Sequence, residues 1–109
     1  MAYIVTDRTG RWLLSASYHG SKIAVNPIGA DGVAGPTRQV LPTPANAHSI
    51  LTDASNCFAF VASLGGNVVN FYRFDAATGE LTHGDPPTLG VREKAGPRHF
   101  RFHPNGKFV

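Results

Sequence analysis

Short runs of β-branched and aromatic residues, separated by glycine- and proline-containing turns, make up most of this 109-residue chain. Several runs alternate with a period of two, which is typical of strands. Within NVVNFYRF, Val69 and Phe71 fall on one face, and Asn70 and Tyr72 on the other. The runs that predict strands are RWLLSASY, KIAVNPI, HSILTD, CFAFVAS, NVVNFYRF and HFRFHP. Because no segment of about ten residues has helical periodicity, the sequence predicts an all-β fold.

This pattern repeats along the chain. A period near 46–50 residues, with several strands in each unit, is typical of a β-propeller blade. The sequence therefore predicts about two blades, near residues 2–47 and 48–97, and the start of a third at 98–109. The alternative to a blade repeat is that two similar hairpins match by coincidence. A shift of 46 residues places Ile4, Thr6, Asp7 and Trp12 on Ile50, Thr52, Asp53 and Phe58, and a shift of 50 places Asp53 on His103.

Two blades cannot close a ring, because closed propellers have about four blades or more. We therefore expect either a fragment of a longer protein or an assembly with other copies, and we favour the fragment. Open blade edges and an uncovered blade face would promote self-association.

Composition and charge exclude several classes of function. A net charge of +3 without a basic run argues against nucleic-acid binding, which needs clustered Lys and Arg, and fits an anionic small substrate. No apolar run approaches the length of a membrane span. The first residues lack the pattern of a signal peptide, which predicts the cytoplasm. The single cysteine, Cys57, begins the apolar run CFAFVA and is expected to be a buried thiol.

Three segments, in this order, resemble the lactonase family of seven-bladed propellers: LLSASYHGSKIAVNPI, AHSILTDASNCFAFVASLGGNVVNFYRFDAATGEL and GPRHFRFHPNGKFV. The resemblance runs from about Asp7 to Val109. It implies hydrolysis of a phosphorylated sugar lactone, 6-phosphogluconolactone, to 6-phosphogluconate in the pentose phosphate pathway, without a cofactor. It also implies that His48 of AHS and Arg98 of GPRH are catalytic. The third member of the family's site, a glutamate, falls beyond Val109.

The repeat supports these two site residues independently. The shift of 50 residues places His48 on Arg98 and Ser49 on His99, and equivalent positions in adjacent blades are neighbours around the axis. His48 and Arg98 are therefore predicted to meet at one rim of the channel. A histidine can hold or deprotonate water, and an arginine can stabilise an oxyanion or bind a phosphate. His99 is assigned to substrate binding, with packing beside the site as the alternative.

The remaining histidines predict no further site. His99 and His103 are four residues apart, about 13 Å along a strand, so no metal site is predicted. His19 and His83 are expected in exposed loops. Two other functions stay open: a non-catalytic propeller that serves as an interaction scaffold, and a muconate-lactonizing isomerase of the same family.

Overall fold

The computed structural model describes residues 1–109 and contains strands and turns but no helix. Eight strands form two four-stranded antiparallel sheets, each with its strands in chain order. The first sheet contains β1 (Tyr3–Thr6), β2 (Trp12–Ser17), β3 (Lys22–Pro27) and β4 (Gln39–Pro42). The second contains β5 (Ala47–Thr52), β6 (Phe58–Ser63), β7 (Val68–Asp75) and β8 (Glu80–Gly90). The all-β prediction is confirmed, and each sheet is the four-stranded meander of a propeller blade.

The outermost strand of each blade, β4 or β8, lies outside the predicted runs. Both strands contain proline, which lacks the N–H that a ladder uses: Pro42 ends β4, and Pro86 and Pro87 lie within β8. An outermost strand tolerates proline because one of its edges needs no partner. The predicted strand HFRFHP, in contrast, forms no ladder, because residues 99–104 have no neighbouring strand with which to pair.

The turn that follows the innermost strand has the same construction in all three repeats. Its first N–H donates to the carbonyl five residues later, and its fourth residue has a left-handed φ, which favours glycine and asparagine. The closing bonds join Asp7 to Trp12 at 2.9 Å, Asp53 to Phe58 at 2.9 Å and His103 to Phe108 at 2.8 Å. The left-handed residues are Gly10, Asn56 and Gly106, with φ of 71°, 60° and 71°.

The core lies between the two blades. Alternation in β7 places Asn70 and Tyr72 in this buried layer and leaves Val69 and Phe71 half-buried on the opposite face, as predicted. Leu14 and Ile50 from the two blades are fully buried, at roughly 2 kcal/mol of apolar burial each. The apolar core consists of Leu14, Ala16, Ile23, Val25, Ala47, Ile50, Ala59, Val61, Tyr72, Phe74 and Leu81.

Polar side chains also join the two blades. The amide of Gln39 in β4 bonds both backbone groups of Leu81 in β8, at 2.9 and 2.8 Å, as a strand neighbour would. In the turns that follow the innermost strands, the carboxylate of Asp7 accepts a bond from the amide of Asn56 at 2.8 Å. These contacts fix the angle between the blades, and therefore the positions of side chains at the rim where the innermost strands begin.

Cys57 is exposed, so the prediction of a buried thiol is wrong. The residue lies in the turn before β6, and its N–H donates to the hydroxyl of Ser55. Its counterpart 46 residues earlier is the exposed Arg11. The apolar run CFAFVAS therefore begins one residue before the ladder, which alternation alone does not reveal.

Candidate active site

His48 lies near the start of β5 at a β-bulge. Ala47 pairs with Ser63 and Ser49 pairs with Ala62, so two residues of β5 stand where an undistorted ladder has one. His48 is the extra residue. A bulge bends the strand and turns a side chain away from the direction that alternation gives it. The bulge therefore sets the direction of His48 at this end of the blade.

The imidazole of His48 is buried between rings from two other blades. Only 9% of the residue is exposed, and its Nδ1 is buried without a hydrogen-bond partner. The ring of Tyr18 packs edge-on against it at 5.8 Å between centroids. His99 packs edge-on from the other side at 4.9 Å. An unpartnered buried polar atom is uncommon in proteins and is often found where a ligand or water binds.

Arg98 and His99 come from the innermost segment of the third repeat. The hydroxyl of Ser49 donates to the Arg98 carbonyl at 2.8 Å, which holds this segment against β5. The Nη1 atom of Arg98 lies 3.5 Å from Nδ1 of His99, and both side chains are exposed. The structure thus brings the three predicted site residues, His48, Arg98 and His99, to the same rim.

Burial and charge together lower the pKa of His48. Burial contributes most, because a desolvated imidazole holds its proton less readily, and the positive charges of Arg98 and His99 act in the same direction. His48 is therefore neutral at pH 7 and can accept a proton, while Arg98 remains a cation.

Two tyrosines at this rim lie outside the predicted set. Tyr18 follows β2 directly, and Tyr3, at the start of β1, lies 6.2 Å from the His99 ring. Their positions could have been inferred from the repeat, because the end of a blade's second strand and the start of its first lie at the same rim. The rings of Tyr18, His48, His99 and Tyr3 form a continuous row across three repeats.

The other three histidines are not members of this row. His103 begins the turn at the opposite end of the innermost segment. His83 is exposed but lies in β8 opposite Tyr72, rather than in a loop. His19 is exposed in the hairpin between β2 and β3, and its ring contacts Tyr18. No three His, Cys, Asp or Glu side chains lie close enough together to hold a metal ion.

The site therefore combines a neutral buried imidazole with a cationic, solvent-facing guanidinium at the rim of a blade assembly. This pairing suits the addition of water to a carbonyl, because one group can accept a proton and the other can stabilise an anion. Four-stranded meander blades that stack around an axis define the class of the protein as a β-propeller.

A family model described as "Lactonase, 7-bladed beta-propeller" matches residues 1–109. The chain belongs to this family, and the predicted resemblance is confirmed. The 6-phosphogluconolactonase of Pectobacterium carotovorum subsp. carotovorum is 39% identical over 107 residues, which cover 98% of this chain and 32% of the relative. That of Yersinia pestis is 39% identical over 106 residues, which cover 94% and 30%.

Solved structures show the same fold. The periplasmic gluconolactonase of Pseudomonas aeruginosa superimposes with a TM-score of 0.87 and 28% identity, over 96% of this chain and 33% of that one. A protein from Lactobacillus plantarum superimposes with a TM-score of 0.84 and 26% identity, over 97% and 33%. This chain thus spans about a third of the length of the curated relatives that it matches.

The structure contains no helix with the length and hydropathy that a membrane crossing requires.

Proposed function

We propose that this chain supplies the His48–Arg98 part of the active site of a lactone hydrolase that converts 6-phosphogluconolactone to 6-phosphogluconate. The observation that carries the proposal is the neutral, buried His48 beside Arg98 and His99 at one rim. Membership of the lactonase family and relatives named 6-phosphogluconolactonase support this substrate. The net charge of +3 favours an anionic substrate.

In this reaction water adds to the lactone carbonyl carbon, and the bond between that carbon and the ring oxygen then breaks. The proton that leaves the water passes to the ring oxygen, which becomes a hydroxyl group. A neutral His48 can accept the first proton and return it as a general acid. The unpartnered Nδ1 of His48 shows that part of its hydrogen-bonding capacity is still available.

Arg98 has two possible partners on such a substrate. Its guanidinium can stabilise the oxyanion that forms on the carbonyl oxygen, or it can bind the phosphate through two parallel hydrogen bonds. His99 lies between Arg98 and His48 and is proposed to bind the sugar. The row of Tyr18, His48, His99 and Tyr3 forms the wall against which the sugar would lie.

Two measurements on the same chain test the proposal. The first is hydrolysis of 6-phosphogluconolactone above its spontaneous rate, and the second is the change in the His48 and His99 side-chain NMR signals on addition of 6-phosphogluconate. The proposal expects both, and expects His48→Ala to lower turnover by about 100-fold or more. His83→Ala, which changes an exposed histidine of β8 that packs on Tyr72 outside this row, is the control. If the chain shows no hydrolysis above the spontaneous rate and no signal change at millimolar product, the proposal is contradicted.

The role of the phosphate is tested by comparison with unphosphorylated gluconolactone. If Arg98 binds the phosphate, Arg98→Lys raises KM for the phosphorylated lactone and leaves KM for the other unchanged. If Arg98 stabilises the oxyanion, the substitution lowers kcat for both lactones.

Location in the cytoplasm stays a prediction for this protein. One structural neighbour is described as a periplasmic gluconolactonase.

A further inference from the structure

Left-handed residues stand in pairs between consecutive blades. One member lies in the hairpin between the second and third strands of a blade: Ser21 (φ 46°) in the first and Asn67 (φ 54°) in the second. These two are counterparts 46 residues apart. The other member lies in the connection to the next blade: Asn46 (φ 60°) and Gly96 (φ 56°), which are counterparts 50 residues apart.

Each pair is joined by one hydrogen bond of the same kind. The N–H of Asn46 donates to the hydroxyl of Ser21 at 3.1 Å. The N–H of Gly96 donates to the side-chain carbonyl of Asn67 at 2.9 Å. In both cases a hairpin side chain accepts a bond from the backbone of the next connection. We call each of these bonds a latch.

Each latch lies two residues before a residue of the site. Asn46 precedes His48, and Gly96 precedes Arg98. We propose that Ser21 and Asn67 are positioning residues. Through these latches they hold the turns that place His48 and Arg98 at the rim, and this inference rests on the proposed function.

The first latch also connects His48 with its aromatic neighbour. The side-chain amide of Asn46 donates to the carbonyl of Tyr18 at 3.3 Å, and the carbonyl of Asn46 accepts the N–H of Leu64 at 3.0 Å. The bulge that directs His48 follows immediately. Because Asn46 is bonded to the hairpins of both blades, a displaced Asn46 would move His48 and Tyr18 relative to each other.

The second latch depends more strongly on its hairpin side chain. Gly96 has no side chain of its own to bond, and glycine is the residue that leaves a left-handed conformation most easily. Asn67 donates a second bond, from its amide to the Arg92 carbonyl at 3.0 Å. Asn67 therefore holds both ends of the segment from Arg92 to Gly96, immediately before Arg98.

Substitution with glycine removes each latch while it preserves the left-handed backbone. We expect Ser21→Gly to make the Asn46 amide exchange about tenfold faster. The groups that face His48 are Tyr18, Arg98 and His99. The same variant should raise the pKa of His48 towards its ordinary value of 6.5 and remove the nuclear Overhauser contact between the Tyr18 and His48 rings.

Asn67→Gly is the matched control, and it should affect the second latch but not the first. The Gly96 amide should exchange faster and the His99 side-chain signals should move, while the Asn46 amide and the Tyr18–His48 contact stay as they are. Ser21→Asn, unlike Ser21→Gly, should keep the first latch, because asparagine accepts the corresponding hydrogen bond at the equivalent position 67.

These NMR measurements are made on the ligand-free 109-residue chain, at concentrations where it is monomeric. An unchanged Asn46 amide and His48 pKa in Ser21→Gly would overturn the proposal. So would a variant that loosens both latches equally, because that result indicates general destabilisation. Since no ligand is present, the latches can be confirmed even if 6-phosphogluconate fails to bind, so the two proposals fail separately.

Discussion

At the scale of single residues, burial of His48 is the main reason that its imidazole is neutral, and the two positive neighbours reinforce the effect. An exposed histidine would be partly protonated at the pH of many cells. The same three residues that form the site therefore also set the protonation state on which the proposed chemistry depends.

A pH profile tests this coupling. If neutral His48 is the base, the rate should rise with pH through the pKa of His48 and stay high above it. Because this pKa is lowered, the rise should lie below pH 6.5. Arg98→Gln removes one positive charge and should move the rise to higher pH. A rise that stays in place in Arg98→Gln would show that the titrating group is not His48.

Asp7 is the residue whose charge ties the two blades together. Burial by itself raises the pKa of this carboxyl, but bonds from Asn56 and Thr9 and from the backbone outweigh it, so the pKa lies below its ordinary value of 3.8. The charged form therefore stabilises the fold above pH 3.8, and this stability is lost as the pH falls through the lowered pKa.

We expect Asp7→Asn to lower the free energy of unfolding by about 2 kcal/mol at pH 7, measured by urea denaturation. The loss should shrink as the pH falls below 3.8, because the wild-type carboxyl becomes neutral there. Asp53→Asn is the control, since Asp53 accepts bonds from Ser55 and Phe58 within its own turn. An equal loss for both variants would show that the bond between Asp7 and Asn56 contributes nothing specific.

At the scale of strands and turns, alternation revealed most of the fold but not the direction of His48. Periodicity located β2, β3, β5, β6 and β7, because their β-branched and aromatic residues alternate or run continuously. The repeat added the shared rim of His48 and Arg98. The bulge at His48 could not be predicted, because it depends on the pairing of Ala47 with Ser63 across two strands. Alternation within one strand does not indicate Tyr18 either, because its contact with His48 joins two blades; only the repeat places both residues at the same rim.

The hairpin between β7 and β8 packs against the other blade through Trp12. Gly79 in this hairpin is buried and left-handed (φ +73°), and a Cβ built there would overlap the Trp12 ring. The indole N–H of Trp12 is fixed by a bond to the Ala76 carbonyl at 2.8 Å. The ring therefore cannot move aside without the loss of that bond.

We expect Gly79→Ala to lower the free energy of unfolding by about 2–4 kcal/mol, from a left-handed alanine and from overpacking together. Gly10→Ala is a matched control, since Gly10 has a similar φ (+71°) but no atom within 4 Å of a Cβ. It should cost about 1–2 kcal/mol. Urea denaturation of both variants measures the difference, and equal losses would mean that the Trp12 contact has no effect.

At the scale of the whole molecule, equivalent residues of the two blades lie on opposite sides of the interface between them. Ile23 and Val25 in β3 are buried in the shared core, while their counterparts Val69 and Phe71 in β7 face away from it. A blade that stacks with the front of one sheet against the back of the next must be apolar on both faces. On the back of the first blade, the apolar residues Ile4, Ala24 and Val40 stand with the small Ser15 in one cross-strand row.

This uncovered row predicts that the 109-residue chain associates with itself. Ile4 is 61% exposed and Val40 is 53% exposed, and apolar sheet faces and open edges promote association. We expect sedimentation to show a larger species as concentration rises, and the double substitution Ile4→Lys with Val40→Lys to shift the chain towards monomer. Ala77→Lys with Thr78→Lys adds the same charge in the exposed β7–β8 hairpin, away from this face, and should leave association largely unchanged. If both double variants reduce association equally, net charge rather than the apolar row controls it. A wild-type chain that stays monomeric at millimolar concentration would contradict the prediction.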